Sequence, residues 1–214
     1  MNGIIHRLIK LNKEYMNQNP MSLFNISLFC LTLKKKKIKI IYLAGGCFWC
    51  TEAIFQNIKG VIEVKPGYID GTVKNPSYSE VCRGKTGHTE AIELKYNPKN
   101  IDLEDIFFIF FNTHDPTTLN RQGNDIGTQY RSGIYYTEVK QKQIAFEIIK
   151  QINSEKIYDN PIVTEVKKST PFYIAEEHIN YYSQNSNQAY CSYTITPKIN
   201  KLKTYFKNYI DTKK

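Results

Sequence analysis

Two cysteines three positions apart, Cys47 and Cys50, stand in the run Gly45-Gly46-Cys47-Phe48-Trp49-Cys50, the densest reactive chemistry in the chain. An unperturbed thiol has a pKa of about 8.5 and is only slightly ionised at neutral pH, so a nucleophilic cysteine needs a stabilised thiolate. The tandem glycine after an apolar run predicts a strand turning sharply into a helix, with Cys47 at the helix N-terminus. The positive end of the helix dipole and its free N–H groups favour a thiolate there. Phe48 and Trp49 would wall an aromatic pocket beside it, suited to a methyl group or thioether. Cys50 falls on the same helix face, close enough for a disulfide if the first turn adjusts slightly. Spacing alone leaves thiol–disulfide exchange, zinc ligation and resolution of an oxidised cysteine open. Zinc lacks a second Cys pair or a Cys/His cluster to complete four ligands. Two buried thiols packed as small hydrophobes are the plain alternative.

Those side chains need a scaffold, and the apolar pattern predicts one. Residues 38–44 (IKIIYLA) read as a buried strand ending at the glycine pair. Over residues 48–58, Phe48, Ala53, Ile54, Phe55 and Ile58 recur at helical spacing before Gly60 stops the run. Residues 61–68 predict a strand, then a loop at Asp70-Gly71 and Asn75-Pro76. Residues 90–96 alternate as a half-buried strand, and residues 103–111 predict an apolar helix whose phenylalanines are core. Residues 112–132 show no period; so long a loop is functional or disordered, and Ile126 and Tyr130 offer anchors against disorder. A strand at 134–137, a helix at 139–152 and a strand at 162–166 follow. The rest, from Phe172, is irregular with a terminal helix near 199–209. Alternating strands and helices predict an α/β (α+β) two-layer sandwich with a mixed β-sheet core, long irregular loops and a C-terminal tail. One domain covers residues 38–211. Residues 1–37 are set apart as an N-terminal extension, because the apolar stretch 21–33 is too short to span a bilayer and runs into Lys34–Lys37. A targeting peptide, a membrane-surface anchor and a non-native extension all stay open for it.

The 214 residues carry a formal net charge of +9, with 41% hydrophobic and 13% aromatic side chains, the composition of a folded protein. The excess charge comes largely from singly scattered lysines. Without an arginine-rich stripe or aromatic residues interleaved with basic ones, it argues against specific nucleic-acid binding and toward solubility or steering of an acidic partner. Five cysteines, an odd number at irregular spacing, argue against a secreted disulfide framework and for a reducing cytoplasm.

Several motifs occur together and in order: Gly45–Cys50 (GGCFWC), residues 75–78 (NPSY), 81–90 (VCRGKTGHTE), 114–117 (HDPT) and 120–132 (NRQGNDIGTQYRS). In that order they resemble the signatures of the A-type peptide methionine sulfoxide reductases. Residues 172–176 (FYIAE) and 190–198 (YCSYTITPK) match the family's C-terminal part, so the resemblance spans about residues 38–206. It implies a ferredoxin-like sandwich and reduction of methionine S-sulfoxide, free or in proteins, by a monomer. No cofactor or metal is bound, thioredoxin (dithiothreitol in vitro) is the reductant, and neither nucleic acid nor membrane is a partner. By the same resemblance Cys47 is the nucleophile and Glu90 the acid. Tyr78 and Tyr130 are the hydroxyl donors that hold the oxygen, Asp125 orders the site and the substrate backbone, and Phe48 and Trp49 form the methyl-binding wall.

The chemistry asks for those types. A sulfoxide oxygen leaves poorly unless it is protonated as the sulfur is attacked. Glu90, with an ordinary pKa of about 4.3, must then be held neutral by burial. Attack leaves Cys47 as a sulfenic acid, and a second thiol condenses with it. Cys50, which replaces the glycine many relatives carry, is the resolving thiol by proximity, with Cys191 the runner-up. After residues 172–176 relatives continue with an aromatic residue and then His-Gln, whereas Glu177-His178-Ile179-Asn180 stand here; no role is carried onto His178. Cys82 reads as a buried structural thiol, His88 as a brace for the turn before Glu90, and His114 with Asp115 as loop-ordering groups. Two other classes compete: a general disulfide oxidoreductase using only Cys47 and Cys50, and a basic binding module in which the cysteines are incidental.

Overall fold

Strand β1 (Lys39–Gly45) is the buried strand that the sequence predicts: Ile41 and Leu43 are buried in the main core, while Ala44 belongs to a smaller cluster on the opposite face. In the computed structural model, which describes residues 4, 6–11, 14 and 38–212, this strand lies inside a six-stranded sheet. The other strands are β2 (Val61–Ile69), β3 (Thr89–Tyr96), β6 (Ser132–Tyr136), β7 (Glu165–Lys168) and β8 (Tyr173–Ile174), in the order β7-β6-β1-β3-β2-β8. Only β6 and β7 pair in parallel, so the sheet is mixed. A separate hairpin, β4 (Arg121–Gln122) with β5 (Asp125–Ile126), lies in the long loop.

Helices α1 (Phe48–Phe55), α3 (Leu103–Thr113), α4 (Val139–Ser154) and α6 (Thr196–Tyr205) bury side chains with Ile41, Leu43, Ile92 and Leu94 in one cluster. The opposite face keeps the smaller cluster of Ala44, Ile69, Ala91 and Tyr135, with Tyr42 and Phe172 packed on it. The two-layer mixed α/β architecture is therefore the expected one. Leu8 and Leu11, in the helical stretch 6–11, are buried in the main core, and both line a small hollow with Phe108 and Phe111 of α3. The stretch 21–33, Cys30 and Lys34–Lys37 lie outside the described residues.

Several boundaries differ from expectation. Helix α1 stops at Phe55, and Ile58 instead forms an isolated antiparallel bridge with Ile210. The strand expected at 162–166 forms later, as Glu165–Lys168, where it finds β6 as a partner. Two short helices went unforeseen: α2 (Tyr78–Cys82) and α5 (Tyr181–Asn185). Helix α2 carries a readable signal, a capping box in which the Ser77 hydroxyl accepts from Glu80 N–H and the Glu80 carboxylate accepts from Ser77 N–H. Of the two expected anchors of the long loop, Tyr130 is half-buried and Ile126 is 67% exposed. Gln129 is buried, its side chain donating to the Cys82 carbonyl and its backbone carbonyl accepting from Thr89 Oγ1. Hydrogen bonds of a polar residue thus tie this loop down where Ile126 was expected to.

Candidate active site

The turn from β1 into α1 depends on Gly46, whose φ of +87° lies in the left-handed region and whose absent Cβ would sit 2.5 Å from Gln122 Cγ. It delivers Cys47 to the N-cap of α1, with Phe48, Cys50, Thr51 and Glu52 all buried on the helix behind it. A helix buried nearly all round carries a weaker periodic signal than an amphipathic one, which is why the pattern alone overran its end.

Glu90 reaches this turn from the sheet. On β3 it shares parity with Ile92 and Leu94, so it faces the helices, where it is 1% exposed. Its Oε2 accepts from the Phe48 N–H at 3.0 Å, the first amide of α1 after Cys47. Burial pushes the Glu90 pKa up to about 8; the Phe48 amide opposes that, and the charges of Asp125 and Cys50 add to it. The carboxyl is thus neutral at pH 7, with Oε1 left to carry the proton.

The cysteine pair departs from the sequence expectation. The leading N–H of α1 goes to Glu90, and Cys47 makes no side-chain capping bond, so the helix N-terminus is not spent on the thiol. Burial, the hydrogen bond with Cys50 and the nearby Glu90 push the Cys47 thiol well above its usual range. Cys50 moves the other way, to about 7, first through the hydrogen bond from Cys47 and further through the Lys198 charge. The two thiols are tied by that hydrogen bond, which raises one and lowers the other. All four described cysteines are free thiols.

An aromatic wall stands over the pair. The Phe48 ring packs at 5.7 Å from Tyr68, 6.4 Å from Tyr78 and 5.3 Å from His178. Trp49 stacks flat on Tyr181, centroids 3.8 Å apart and planes 5° apart, and its Nε1–H donates to His178 Nδ1 at 3.2 Å. Tyr78, at the start of α2, and Tyr130 both have hydroxyl pKa values raised by burial and then, respectively, by a Cys82 hydrogen bond and by the Glu90 charge. They remain protonated donors. Cys82 is only half-buried and hydrogen-bonded to Tyr78, so it is not the buried structural thiol expected. His88 does brace its turn, accepting from Gly71 N–H through Nδ1 and bonding the Val73 carbonyl through Nε2. His114 orders its loop between the Phe110 carbonyl and Ser132 Oγ.

The C-terminal segment closes the other side. Tyr190 donates to Asp125 Oδ2 at 2.7 Å, and the same hydroxyl lies close to both sulfurs, where its single proton, turned toward either, lowers that thiol. Cys191, at the start of a π-helical turn (Cys191–Ile195), is fully buried and near enough for the Cys50 charge to raise it further. A cavity of about 660 Å³ opens beside Asp125 and Tyr190, bordered also by His114, Gln122, Lys198 and Tyr193. Tyr190, Tyr181 and His178 were not among the expected site residues, although Tyr190 adjoins Cys191 in the motif that drew attention to the tail. Their short turns carry no periodicity to read. Among the described residues no group of three or more His, Cys, Asp or Glu side chains is placed to hold a metal ion, and no helix is long and apolar enough to cross a membrane.

Residues 39–210 match the family model described as peptide methionine sulfoxide reductase. The chain is 50% identical over 164 residues to the peptide methionine sulfoxide reductase MsrA of Deinococcus radiodurans, covering 76% of this chain and 80% of that protein. It is also 50% identical over 167 residues to that of Trichodesmium erythraeum, covering 78% and 94%. Among solved structures, reduced Mxr1 from Saccharomyces cerevisiae superposes with a TM-score of 0.66 at 35% identity, covering 77% of this chain and 96% of that one. Methionine sulfoxide reductase A of Corynebacterium diphtheriae superposes with a TM-score of 0.62 at 30% identity, covering 71% and 77%. A buried thiol pair, a neutral carboxyl and an aromatic wall thus coincide with sequence likeness over residues 39–210, and the protein belongs to the peptide methionine sulfoxide reductase family.

Proposed function

We propose that the protein reduces methionine S-sulfoxide, free and in proteins, with Cys47 as nucleophile and Glu90 as acid. The observation that carries this reading is the buried carboxyl of Glu90, held by the amide next to Cys47 and neutral at physiological pH. The sulfoxide methyl lies against Phe48 and Trp49, its oxygen receives hydrogen bonds from Tyr78 and Tyr130, and Asp125 orders the substrate backbone. Glu90 protonates the oxygen while the Cys47 sulfur attacks the substrate sulfur. The thiol proton of Cys47 replaces the one Glu90 has given up, the new S–S bond breaks as the protonated oxygen passes from the substrate sulfur to Cys47, methionine departs, and Cys47 holds the oxygen as a sulfenic acid. As Glu90 is neutral in the reactive form, the carboxylate repulsion that helps raise the Cys47 thiol is absent when attack occurs.

The second half returns the enzyme. Cys50, already inclined to ionise near neutral pH, attacks the Cys47 sulfenic sulfur; water leaves and a Cys47–Cys50 disulfide forms. Thioredoxin, or dithiothreitol in vitro, then supplies two electrons and two protons by thiol–disulfide exchange. Cys191 accepts the disulfide second or serves in place of Cys50. The free thiols fit a reducing compartment, the cytoplasm. Every site residue comes from one chain, so a monomer suffices.

A turnover assay with the two sulfoxide epimers and dithiothreitol tests the reading. Reduction of the S epimer only, vanishing to background in Cys47→Ser, is expected. Reduction of insulin disulfides without sulfoxide turnover would point instead to a general disulfide oxidoreductase, the reading that a thiol pair with a lowered Cys50 pKa would otherwise favour.

A further inference from the structure

Helix α1 buries a second carboxyl that the proposed chemistry does not use. Glu52 is fully buried, and a buried carboxylate is costly unless its hydrogen bonds are well made. Its Oε1 accepts from the Asn180 N–H at 2.9 Å, while Oε2 has no partner among the described residues. One turn on, Gln56 Nε2 donates to the Asn180 side-chain carbonyl at 2.7 Å. Glu52 of α1 and Gln56, the residue that caps its C-terminus, therefore grip Asn180 by its backbone and by its side chain. Asn180 has a left-handed backbone, φ 59° and ψ 26°, and directly precedes helix α5.

What hangs from that grip is the wall of the site. Trp49, Glu52 and Gln56 are spaced i, i+3 and i+7 and share one helix face. Tyr181, the residue after Asn180, is the ring stacked on Trp49, and His178, two before it, accepts the Trp49 N–H. Cys47 is the N-cap, off this face, so Glu52 is not aimed at the reacting sulfur.

We propose that Glu52 is a positioning residue for substrate recognition: through Asn180 it latches residues 178–181 onto α1 and thereby fixes Trp49 in the methyl-binding wall. The latch rests on the sulfoxide reading for its purpose, though not for its geometry. It also accounts for how the departure at Glu177–Asn180 is accommodated: His178 reaches Trp49 because Asn180 is held in the left-handed region. Burial raises the Glu52 pKa to about 7, opposed by the Asn180 and Tyr181 amides, so removing those amides leaves a carboxyl with little reason to be there.

Trp49 is the only tryptophan, so its fluorescence reads the latch directly. Glu52→Leu removes the acceptor at similar volume. It is expected to raise KM for methionine S-sulfoxide about tenfold, the loss of one charge-assisted hydrogen bond, with dithiothreitol-supported kcat held within about twofold. Trp49 emission shifts to the red as its stack and N–H bond loosen. Glu52→Gln keeps a carbonyl acceptor and recovers most of both. Gln56→Ala, from a part-exposed position, moves KM and emission in the same direction by a smaller factor and serves if Glu52→Leu does not fold. Wild-type KM and emission in Glu52→Leu, or in Gln56→Ala where that variant must decide, would overturn the latch. So would a fall in kcat at constant KM shared by Glu52→Leu and Glu52→Gln. Absent wild-type turnover would defeat the sulfoxide reading alone, since Trp49 emission still reports whether the latch exists.

Discussion

The side of the site that carries Glu90 and Tyr78 and the side that carries Tyr190 and Cys191 are built on different kinds of backbone. Glu90 rides on β3, paired on both edges by β1 and β2, and Tyr78 starts a capped helix turn. Tyr190 and Cys191 stand at the start of a π-helical turn after a five-residue helix, Tyr190 bonded through its side chain to Asp125 and Cys191 buried in the main core. A central strand cannot shift one side chain without breaking its ladder, whereas a short turn is placed by side-chain bonds and packing. The Glu90 side is therefore fixed by backbone pairing, and the Tyr190 side by side chains.

Three experiments sharpen or break that contrast. The largest effect belongs to Glu90→Gln, expected to slow single-turnover methionine release by about two to three orders of magnitude. In the wild type that rate falls as pH rises through about 8, where Glu90 loses its proton. The stability sign is also fixed. The folded pKa of Glu90 lies above its ordinary value, so its contribution is fully present below about 4.5 and is lost as pH rises toward about 8. Glu90→Gln should accordingly melt higher than the wild type at pH 9 while being nearly inactive, and an equal or lower melting temperature there would break the account of its burial. Next comes Cys50→Ser, which should still release one equivalent of methionine but lose most thioredoxin-supported cycling. Unimpaired cycling hands resolution to Cys191. The smallest is Tyr190→Phe, which removes the hydroxyl shared by Asp125 and the two sulfurs. Disulfide formation, followed by thiol titration after a single turnover, should slow about threefold, the worth of one modest hydrogen bond, with methionine release slowed less. If both steps slow equally, the two halves are not separable.

The strands were the legible part. An apolar run places β1 and period-two alternation places β3, on which Glu90 shares a face with Ile92 and Leu94. What alternation cannot give is the partner of each buried group. The free amide at the start of α1, expected to serve Cys47, goes to the Glu90 carboxyl on another strand. The same limit explains Ile126 and Gln129: apolar character suggested the anchor, while the loop is held by a polar residue whose partners lie far away in the chain. His178, Tyr181 and Tyr190 were hidden for another reason. They come from turns too short to show a period, and Trp49 and Asp125 meet them only after the chain has crossed the whole sheet.

That crossing has a kinetic side. The strand bearing the nucleophile's turn is the first of the sheet, yet it sits in the middle, with Tyr42 opposite Tyr135 on one edge and Leu43 opposite Ile92 on the other. Contacts so distant in sequence must close large loops before they stabilise anything, and chains dominated by them fold slowly. During synthesis β1 must wait for β6 to emerge, and the thiol pair stays open to oxidants until Tyr190 and its neighbours arrive to cover it. An enzyme that undoes oxidation is thus most vulnerable to it in the interval between the birth of its first strand and the docking of its last turns.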